Sequence, residues 1–170
     1  MERVLANKAN YLVNHGYDII IVTTDQHDEK PYFSLDKRIE CFDLNINYAD
    51  NNGKSIWNKL LYYPFKQRKH KQRLTRLLLR LKADIVISMF CNDVSFITNI
   101  KDKSKKVLEI HFSKFKRLQY GRKGLWKLAD KWRSMQDEKI ISRFDRFVVL
   151  TEEDKTYWGN MPNITVISNA

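Results

Sequence analysis

The stretch that decides the fold is Arg143–Asp154, which reads RFDRFVVLTEED. Within it, Phe147 to Leu150 is a short and wholly apolar run, typical of a strand that is covered on both faces, as in parallel sheets. Thr151 follows with a side-chain oxygen suited to cap a helix, and three acidic residues then fill the first helical turn, where the helix dipole favours negative charge. The stretch therefore predicts a strand, a tight turn and a helix.

The rest of the chain repeats this alternation of strands and helices. Apolar and β-branched runs predict strands at residues 19–22, 39–44, 84–89, 105–110, 147–150 and 164–167. Helical periodicity predicts helices at residues 2–15, 56–82 with Pro64 as a candidate break, 92–100, 123–143 and beyond Thr151. The order predicts an α/β fold with a Rossmann-like, doubly wound and mostly parallel sheet in a single domain over residues 1–170.

The chain opens inside a helix. Leu5, Ala9 and Val13 recur on one face of it, Gly16 suits the left-handed position just past its end, and an apolar strand follows from Ile19. A helix, a glycine turn and a strand form the second half of a βαβ unit, so the first strand, which is central in a doubly wound sheet, is expected to be missing. We expect this gap to destabilise the chain alone, or to be filled by another strand or by a second chain through self-association.

Composition narrows the class of protein. The length of 170 residues and the 43% of hydrophobic residues predict one globular domain with a real core. With no apolar segment long enough to cross a bilayer and no signal-peptide pattern, a cytoplasmic location is expected. Cys41 and Cys91 have neither a metal-ligand spacing nor a paired framework, which predicts reduced thiols.

The formal net charge of +11 indicates a polyanion or an anionic surface as partner. Nucleic acid, an acidic membrane leaflet and phosphate-bearing substrates all fit this charge. Much of it lies in one predicted helix, whose basic residues are Lys66, Arg68, Lys69, Lys71, Arg73, Arg76, Arg80 and Lys82. For any one of them, the alternative is a solvated face whose long side chains cover apolar surface.

Local motifs for catalysis are absent from the sequence. It has no Walker loop, no Gly-x-Gly-x-x-Gly, no nucleophile elbow and no Cys/His cluster, so neither a metal nor a resident cofactor is expected. Position is more informative, because polar residues at the carboxyl ends of parallel strands face one crevice. These residues are Thr24, Asn92, Asp93, His111 and Thr151. His111 is the most reactive type among them, able to act as a base or a hydrogen-bond donor, and the alternative for it is a structural histidine.

Five segments, in order and spacing, resemble the N-terminal, acceptor-side domain of family 4 glycosyltransferases. They are ERVLAN at 2–7, HGYDIIIVTT at 15–24, DIVIS at 84–88, FDRFVVLT at 144–151 and VISNA at 166–170. The resemblance implies one half of a GT-B fold, in which two Rossmann-like domains face a cleft and the C-terminal domain binds the nucleotide-sugar. That C-terminal domain is expected to be absent from this chain.

The resemblance also implies a reaction. It is retaining, metal-independent transfer of a hexosyl group from a nucleotide-sugar donor to a glycan or lipid-linked acceptor in cell-surface polysaccharide synthesis. This chain would supply the acceptor-binding half and be inactive as a fragment. By resemblance, the acceptor would contact Arg3, Asn92, Asp93, His111, Phe112, Ser113 and Lys114, with Thr24 and Thr151 at the cleft rim.

The resemblance gives the basic helix a role at the inner membrane face. There it would contact anionic lipid or a diphosphate through Lys66, Arg68, Lys69, Lys71, Arg73 and Arg76. The alternative from another class is a non-catalytic basic α/β module that binds nucleic acid through this helix and the aromatic, basic loop around Phe112 and Phe115.

Overall fold

A computed structural model of the chain describes residues 2–27, 29–51, 56–112, 114, 134–159 and 161–168. The chain divides into two compact units, Met1–Leu77 and Leu78–Ala170.

The first unit contains helix α1, Glu2–Asn14, followed by strands β1, Ile20–Thr23, and β2, Glu40–Asp43. A 3-10 turn at Tyr48–Asn51 then precedes helix α2, Ile56–Leu81, which ends in the second unit. The two strands pair in parallel, with Ile20 opposite Glu40 and Thr23 opposite Asp43. A small core of Ala9, Val13 and Ile39 joins the helix to this sheet.

Helix α1 ends at a glycine in the left-handed conformation. Gly16 has a φ of 85°, which L side chains rarely adopt, and Tyr17 N donates to the carbonyl of Leu12 at 3.2 Å. This hydrogen bond closes the last turn in the manner of a Schellman motif. The predicted left-handed glycine is confirmed.

The second unit contains a four-stranded sheet in the order β3, β4, β5, β6. Its strands are Ile85–Ser88, Lys105–Glu109, Arg146–Val149 and Ile164–Val166, and all three pairings are parallel. The helical segments of this unit are a 3-10 turn at Ile97–Asn99, α3 at residues 134–141 and α4 at Glu152–Trp158.

The middle of this sheet forms the core of the second unit. Leu108 in β4 and Phe147 in β5 are opposite each other and wholly buried, and the next two residues of β5, Val148 and Val149, are buried as well. Consecutive residues of a strand point to opposite faces, so both faces of β5 are covered. The doubly covered strand predicted at 147–150 is confirmed.

The turn after β5 is closed by Thr151. Its Oγ1 accepts from Asp154 N at 3.0 Å and donates to Asp154 Oδ2 at 3.0 Å, so the cap and the first-turn carboxylate bind each other. At a capped helix N-terminus the capping side chain binds a backbone N–H of the first turn, as Thr151 does here. The predicted cap of α4 is therefore confirmed.

Two helical predictions differ from the structure. The segment predicted as a short helix at 92–100 forms turns and only one 3-10 turn, since polar side chains there favour turns over a continuous helix. Helix α2 runs without interruption through Pro64, which lies on an exposed side of the helix. Of the helix predicted at 123–143, residues 134–141 are helical, and the positions before 134 lie outside the described residues.

The parallel α/β class is confirmed, and the described strands form two sheets. Among them, β1 pairs only with β2, and β3 pairs only with β4 and has no second neighbour.

Candidate functional site

The candidate site lies at the carboxyl end of the four-stranded sheet in the second unit. All four strands are parallel, so the segments that follow β3, β4 and β5 leave the sheet at the same edge. Ligands of open parallel sheets bind at this edge. Three of the predicted site regions, those that begin at Asn92, His111 and Thr151, therefore follow strands that end on one side of the sheet.

The centre of this edge is a buried pair formed by Glu109 and His111. Glu109 is the last residue of β4. In an extended backbone, side chains two residues apart point to the same face, so Glu109 and His111 lie on one face of the sheet. The side chains are 5% and 6% exposed, and His111 Nε2 lies 2.9 Å from Glu109 Oε1. Buried polar groups of this kind need a partner, so the contact holds the imidazole in a defined place.

Sequence reasoning found His111 but missed Glu109. A signal was present, because an acidic residue inside an otherwise apolar strand, two positions before a histidine, shares a face with it.

An aromatic pair joins the segment after β3 to the segment after β4. The rings of Phe90 and Phe112 meet edge to face, with centroids 5.6 Å apart and an interplanar angle of 78°. Phe90 is buried although its φ is 54°, a conformation that is costly for a bulky L residue. Backbone strain of this kind is found at binding and active sites, where the surroundings hold it in place. Because Phe112 directly follows His111 in the chain, the two rings form an apolar surface, here called the apolar wall, beside the segment that carries His111.

Asn92 and Asp93 lie in the turn after β3 and are both partly buried. The Asp93 carbonyl accepts from Phe96 N at 3.0 Å and from Ile97 N at 2.9 Å, so the turn is well ordered. Next to them, burial raises the pKa of the Cys91 thiol, and the Asp93 carboxylate raises it further. Cys91 thus stays protonated near neutral pH and is a poor nucleophile.

Lys114 is already engaged with two helices. Its ammonium lies 2.8 Å from Glu138 Oε1, donates to the Tyr157 carbonyl at 3.1 Å and lies 4.9 Å from the ring centre of Trp158. The lysine therefore joins the segment after β4 to α3 and α4. The adjacent residues Ser113, a predicted acceptor contact, and Phe115, a predicted nucleic-acid contact, lie outside the described residues.

The remaining predicted site residues have separate places. Arg3 is exposed on α1, and Thr24 follows β1, where its Oγ1 donates to Asp25 Oδ2 at 2.6 Å. Thr151 is exposed and acts as the cap of α4.

The six basic residues of α2 that were predicted to contact a membrane or a phosphate fall into two groups. The first, which we call the loop-bonding set, is Lys66, Lys69 and Arg73. Their side chains donate to the carbonyls of Asn47, of Asn45 at 2.9 Å and of Leu44 at 2.5 Å, respectively. Positions i, i+3 and i+7 share one side of a helix, so these cations hold the loop that follows β2.

The second group, the outer set, is Arg68, Lys71 and Arg76, and all three are exposed. Arg68 and Arg76 share a side of α2 with Leu61 and Phe65, whose exposed fractions are 62% and 68%. This side of the helix therefore combines exposed apolar groups with positive charge.

The described part of the chain offers features neither for metal binding nor for spanning a membrane. No group of His, Cys, Asp or Glu side chains there could hold a metal ion. No helix among those residues is both long and apolar enough to cross a membrane.

The parallel sheet, its flanking helices and the polar groups at its carboxyl edge define a Rossmann-like α/β domain. The model of the family described as Glycosyltransferase Family 4 matches residues 1–170. The chain therefore belongs to glycosyltransferase family 4, and its fold is one Rossmann-like half of a GT-B architecture. Among curated proteins, no sequence matches the chain.

Proposed function

We propose that this chain is the acceptor-binding half of a glycosyltransferase that moves a sugar from a nucleotide-sugar to a glycan or lipid-linked acceptor in cell-surface polysaccharide synthesis. The observation that carries the proposal is the buried pair of Glu109 and His111 at the carboxyl end of β4. The family supplies the type of reaction, and the pair supplies a polar group at the edge of the sheet where ligands bind. In a GT-B architecture the nucleotide-sugar would be bound by the other Rossmann-like half.

In this proposal His111 binds a hydroxyl group of the acceptor. An imidazole accepts or donates one well-directed hydrogen bond, which suits a sugar hydroxyl. Asn92 and Asp93 add an amide and a carboxylate, the other groups that commonly bind hydroxyls. The apolar wall of Phe90 and Phe112 supports the proposal because a sugar ring has apolar C–H faces as well as hydroxyls.

The test measures sugar binding to the chain itself. Saturation-transfer NMR would be recorded with a panel of hexoses, hexose-terminated oligosaccharides and a polyisoprenyl-diphosphate sugar. We expect His111→Ala to weaken binding of the responding sugar by about tenfold, since a buried hydrogen bond contributes about 1–2 kcal/mol. His27→Ala, which removes an exposed histidine of the first unit, is the control and should leave binding unchanged. Equal affinities of the wild type and His111→Ala contradict the proposal.

We also propose that α2 docks the protein on an anionic membrane surface. The outer set and its exposed apolar neighbours Leu61 and Phe65 support docking, because basic residues attract anionic headgroups while apolar side chains enter the interface. The loop-bonding set contributes less in this proposal, since its donors are engaged with loop carbonyls.

The two sets of basic residues allow a comparison between two variants of equal net charge. Replacing each set by three Gln residues removes the same charge, and binding is measured by co-sedimentation with vesicles that contain or lack anionic phospholipid. We expect the outer-set variant to bind about a hundredfold more weakly, at about 1 kcal/mol per basic residue, and the loop-bonding variant to retain most of its binding. Equal losses in the two variants would indicate attraction by net charge alone and contradict a docking face.

The alternative function, binding of nucleic acid, is tested with the same variants. A single-stranded oligonucleotide replaces the vesicles, and the salt dependence of binding is compared. Exposed Leu61 favours lipid, because an aliphatic side chain enters the membrane interface but does not stack on a base. Tighter binding to the oligonucleotide than to anionic vesicles would reverse this preference.

Self-association through the sheet is the last part of the proposal. Among the described strands β3 has one neighbour, and its Ile85 and Ile87 are 58% and 42% exposed. An apolar edge strand of this kind favours pairing with a second chain. Sedimentation velocity should show a dimer that Ile87→Lys converts to a monomer, and a wild-type monomer at all concentrations would rule this pairing out.

A further inference from the structure

The contact between Glu109 and His111 involves one particular atom of the imidazole. The carboxylate Oε1 meets Nε2, at 2.9 Å, and both side chains are almost fully buried. If the Glu109 carboxyl is ionised, it can only accept hydrogen bonds, and its partner Nε2 then carries the proton. In the neutral ring the other nitrogen, Nδ1, then holds a lone pair.

We propose that Glu109 is a positioning residue that fixes His111 as its Nε2–H tautomer and so makes Nδ1 the atom that accepts a hydrogen bond from an acceptor hydroxyl. The substrate contact of Nδ1 rests on the proposed function, whereas the tautomer rests on the Nε2–Oε1 contact and on an ionised Glu109. Glu109 itself does not touch the substrate in this account.

The backbone around the pair is rigid. Glu109 is opposite Val148 in β5, Ile110 N donates to the carbonyl of Val148 at 3.0 Å, and the Ile110 side chain is buried. On its other side β4 pairs with β3 up to Leu108, which is opposite Ser88. The carboxylate therefore projects from the end of a strand that is paired on both sides up to Leu108 and on the β5 side at Glu109, and a histidine held from such a strand keeps one ring orientation.

The carboxylate has a second effect if a proton reaches the ring. A proton taken from a hydroxyl by Nδ1 leaves an imidazolium with N–H groups on both nitrogens, and Glu109 then balances its positive charge. Without that counter-charge, a buried imidazolium would be costly. Glu109 thus allows Nδ1 to serve as hydrogen-bond acceptor or as base without any change in the position of the ring.

The experiment reads the tautomer directly and needs no substrate. Long-range proton–nitrogen NMR spectra of the full chain, labelled with ¹⁵N-histidine, would be recorded at mildly alkaline pH. The chain has four histidines, and the signals of His111 are those that disappear in His111→Asn. We expect wild-type His111 to carry its proton on Nε2 only.

Two apolar variants remove the acceptor. In Glu109→Leu, and in Glu109→Met as a second replacement that packs differently, the exclusive Nε2–H form should give way to a mixture of both tautomers. Asp102→Asn alters the buried pair at the other end of β4 and should leave the His111 signals unchanged. A wild-type proton on Nδ1, or an exclusive Nε2–H form that persists in the apolar variants, overturns the proposal.

The outcomes separate the two proposals. An Nε2–H tautomer that depends on Glu109, together with sugar binding unaffected by His111→Ala, would refute the proposed function and leave the positioning by Glu109 intact. The reverse result, in which sugar binding needs His111 but the tautomer is independent of Glu109, would refute the positioning alone. When both hold, Glu109→Leu should weaken sugar binding about as much as His111→Ala does.

Discussion

The two ends of strand β4 each carry a buried polar pair, and the pairs differ in kind. At the amino end, Lys106 binds both Asp102 and Ser104, and the Lys106 and Asp102 side chains are 6% and 1% exposed. At the carboxyl end, Glu109 holds a histidine through one of its two ring nitrogens. In the first pair the Lys106 ammonium is bound by Asp102 and Ser104. In the second, Glu109 contacts Nε2 of His111, and the other ring nitrogen, Nδ1, is not part of that contact. In parallel sheets the amino ends of strands serve stability and the carboxyl ends serve binding, and this strand shows both.

The amino-end pair should give the largest effect on folding. Lys106→Met leaves the buried Asp102 carboxylate without its cation, which we expect to cost about 3–5 kcal/mol of unfolding free energy. Urea titration followed by circular dichroism measures this loss. The double variant Asp102→Leu/Lys106→Met, which has no buried charge, should recover most of it, and a single variant as stable as the wild type would show that the pair is unimportant for folding.

A second, exposed contact at the same end should have a smaller and pH-dependent effect. The backbone N–H of Lys106, which donates to Asp145 Oδ2 at 2.8 Å, lowers the pKa of Asp145, and the Lys105 ammonium at 3.2 Å lowers it further. A lowered pKa means that Asp145 stabilises the fold above its unfolded-state pKa of about 3.9. That contribution is lost as the pH falls through the lower pKa of the folded state.

Asp145→Asn should therefore cost about 1 kcal/mol at neutral pH, a modest value because the carboxylate is 40% exposed. Its difference from the wild type should shrink below about pH 4, where the unfolded-state carboxyl also binds a proton. Urea titrations at pH 7 and pH 3 give the comparison. A difference that grows on acidification would contradict the assigned direction of the pKa shift.

The carboxyl-end pair should matter least for stability. Glu109→Leu/His111→Leu replaces both buried polar groups by apolar ones, so we expect an unfolding free energy within about 1 kcal/mol of the wild type or above it. The same variant should lose sugar binding. A loss of stability as large as that of Lys106→Met would show that the two ends of β4 do not differ as described, and that the second pair is structural.

Local sequence patterns were enough to place most of the backbone. The apolar run at 147–150, Thr151 as a cap and Gly16 as a helix stop are all confirmed, because each depends on side chains within a few residues. The helix predicted at 92–100 was wrong, because the polar side chains of that segment favour turns over a continuous helix.

The site was only partly predictable. His111 was found from its place after a strand, but the contact of Glu109 with Nε2 depends on burial by neighbouring strands, which one sequence does not display. The structure also showed that Lys114 is bound to Glu138 and Tyr157, which are 24 and 43 residues away along the chain.

The sequence by itself determined the α/β class, the order of the elements and the large positive charge. These follow from periodicity and composition, which are local or additive properties. Only the tertiary structure decided which cations of α2 are free to meet a partner. Lys66, Lys69 and Arg73 bind carbonyls 19 to 29 residues away, although Lys69 and Arg73 are exposed, as Arg68, Lys71 and Arg76 are. The spacing of the residues places the two sets on different sides of α2, but only the tertiary structure decides which side packs against the loop after β2.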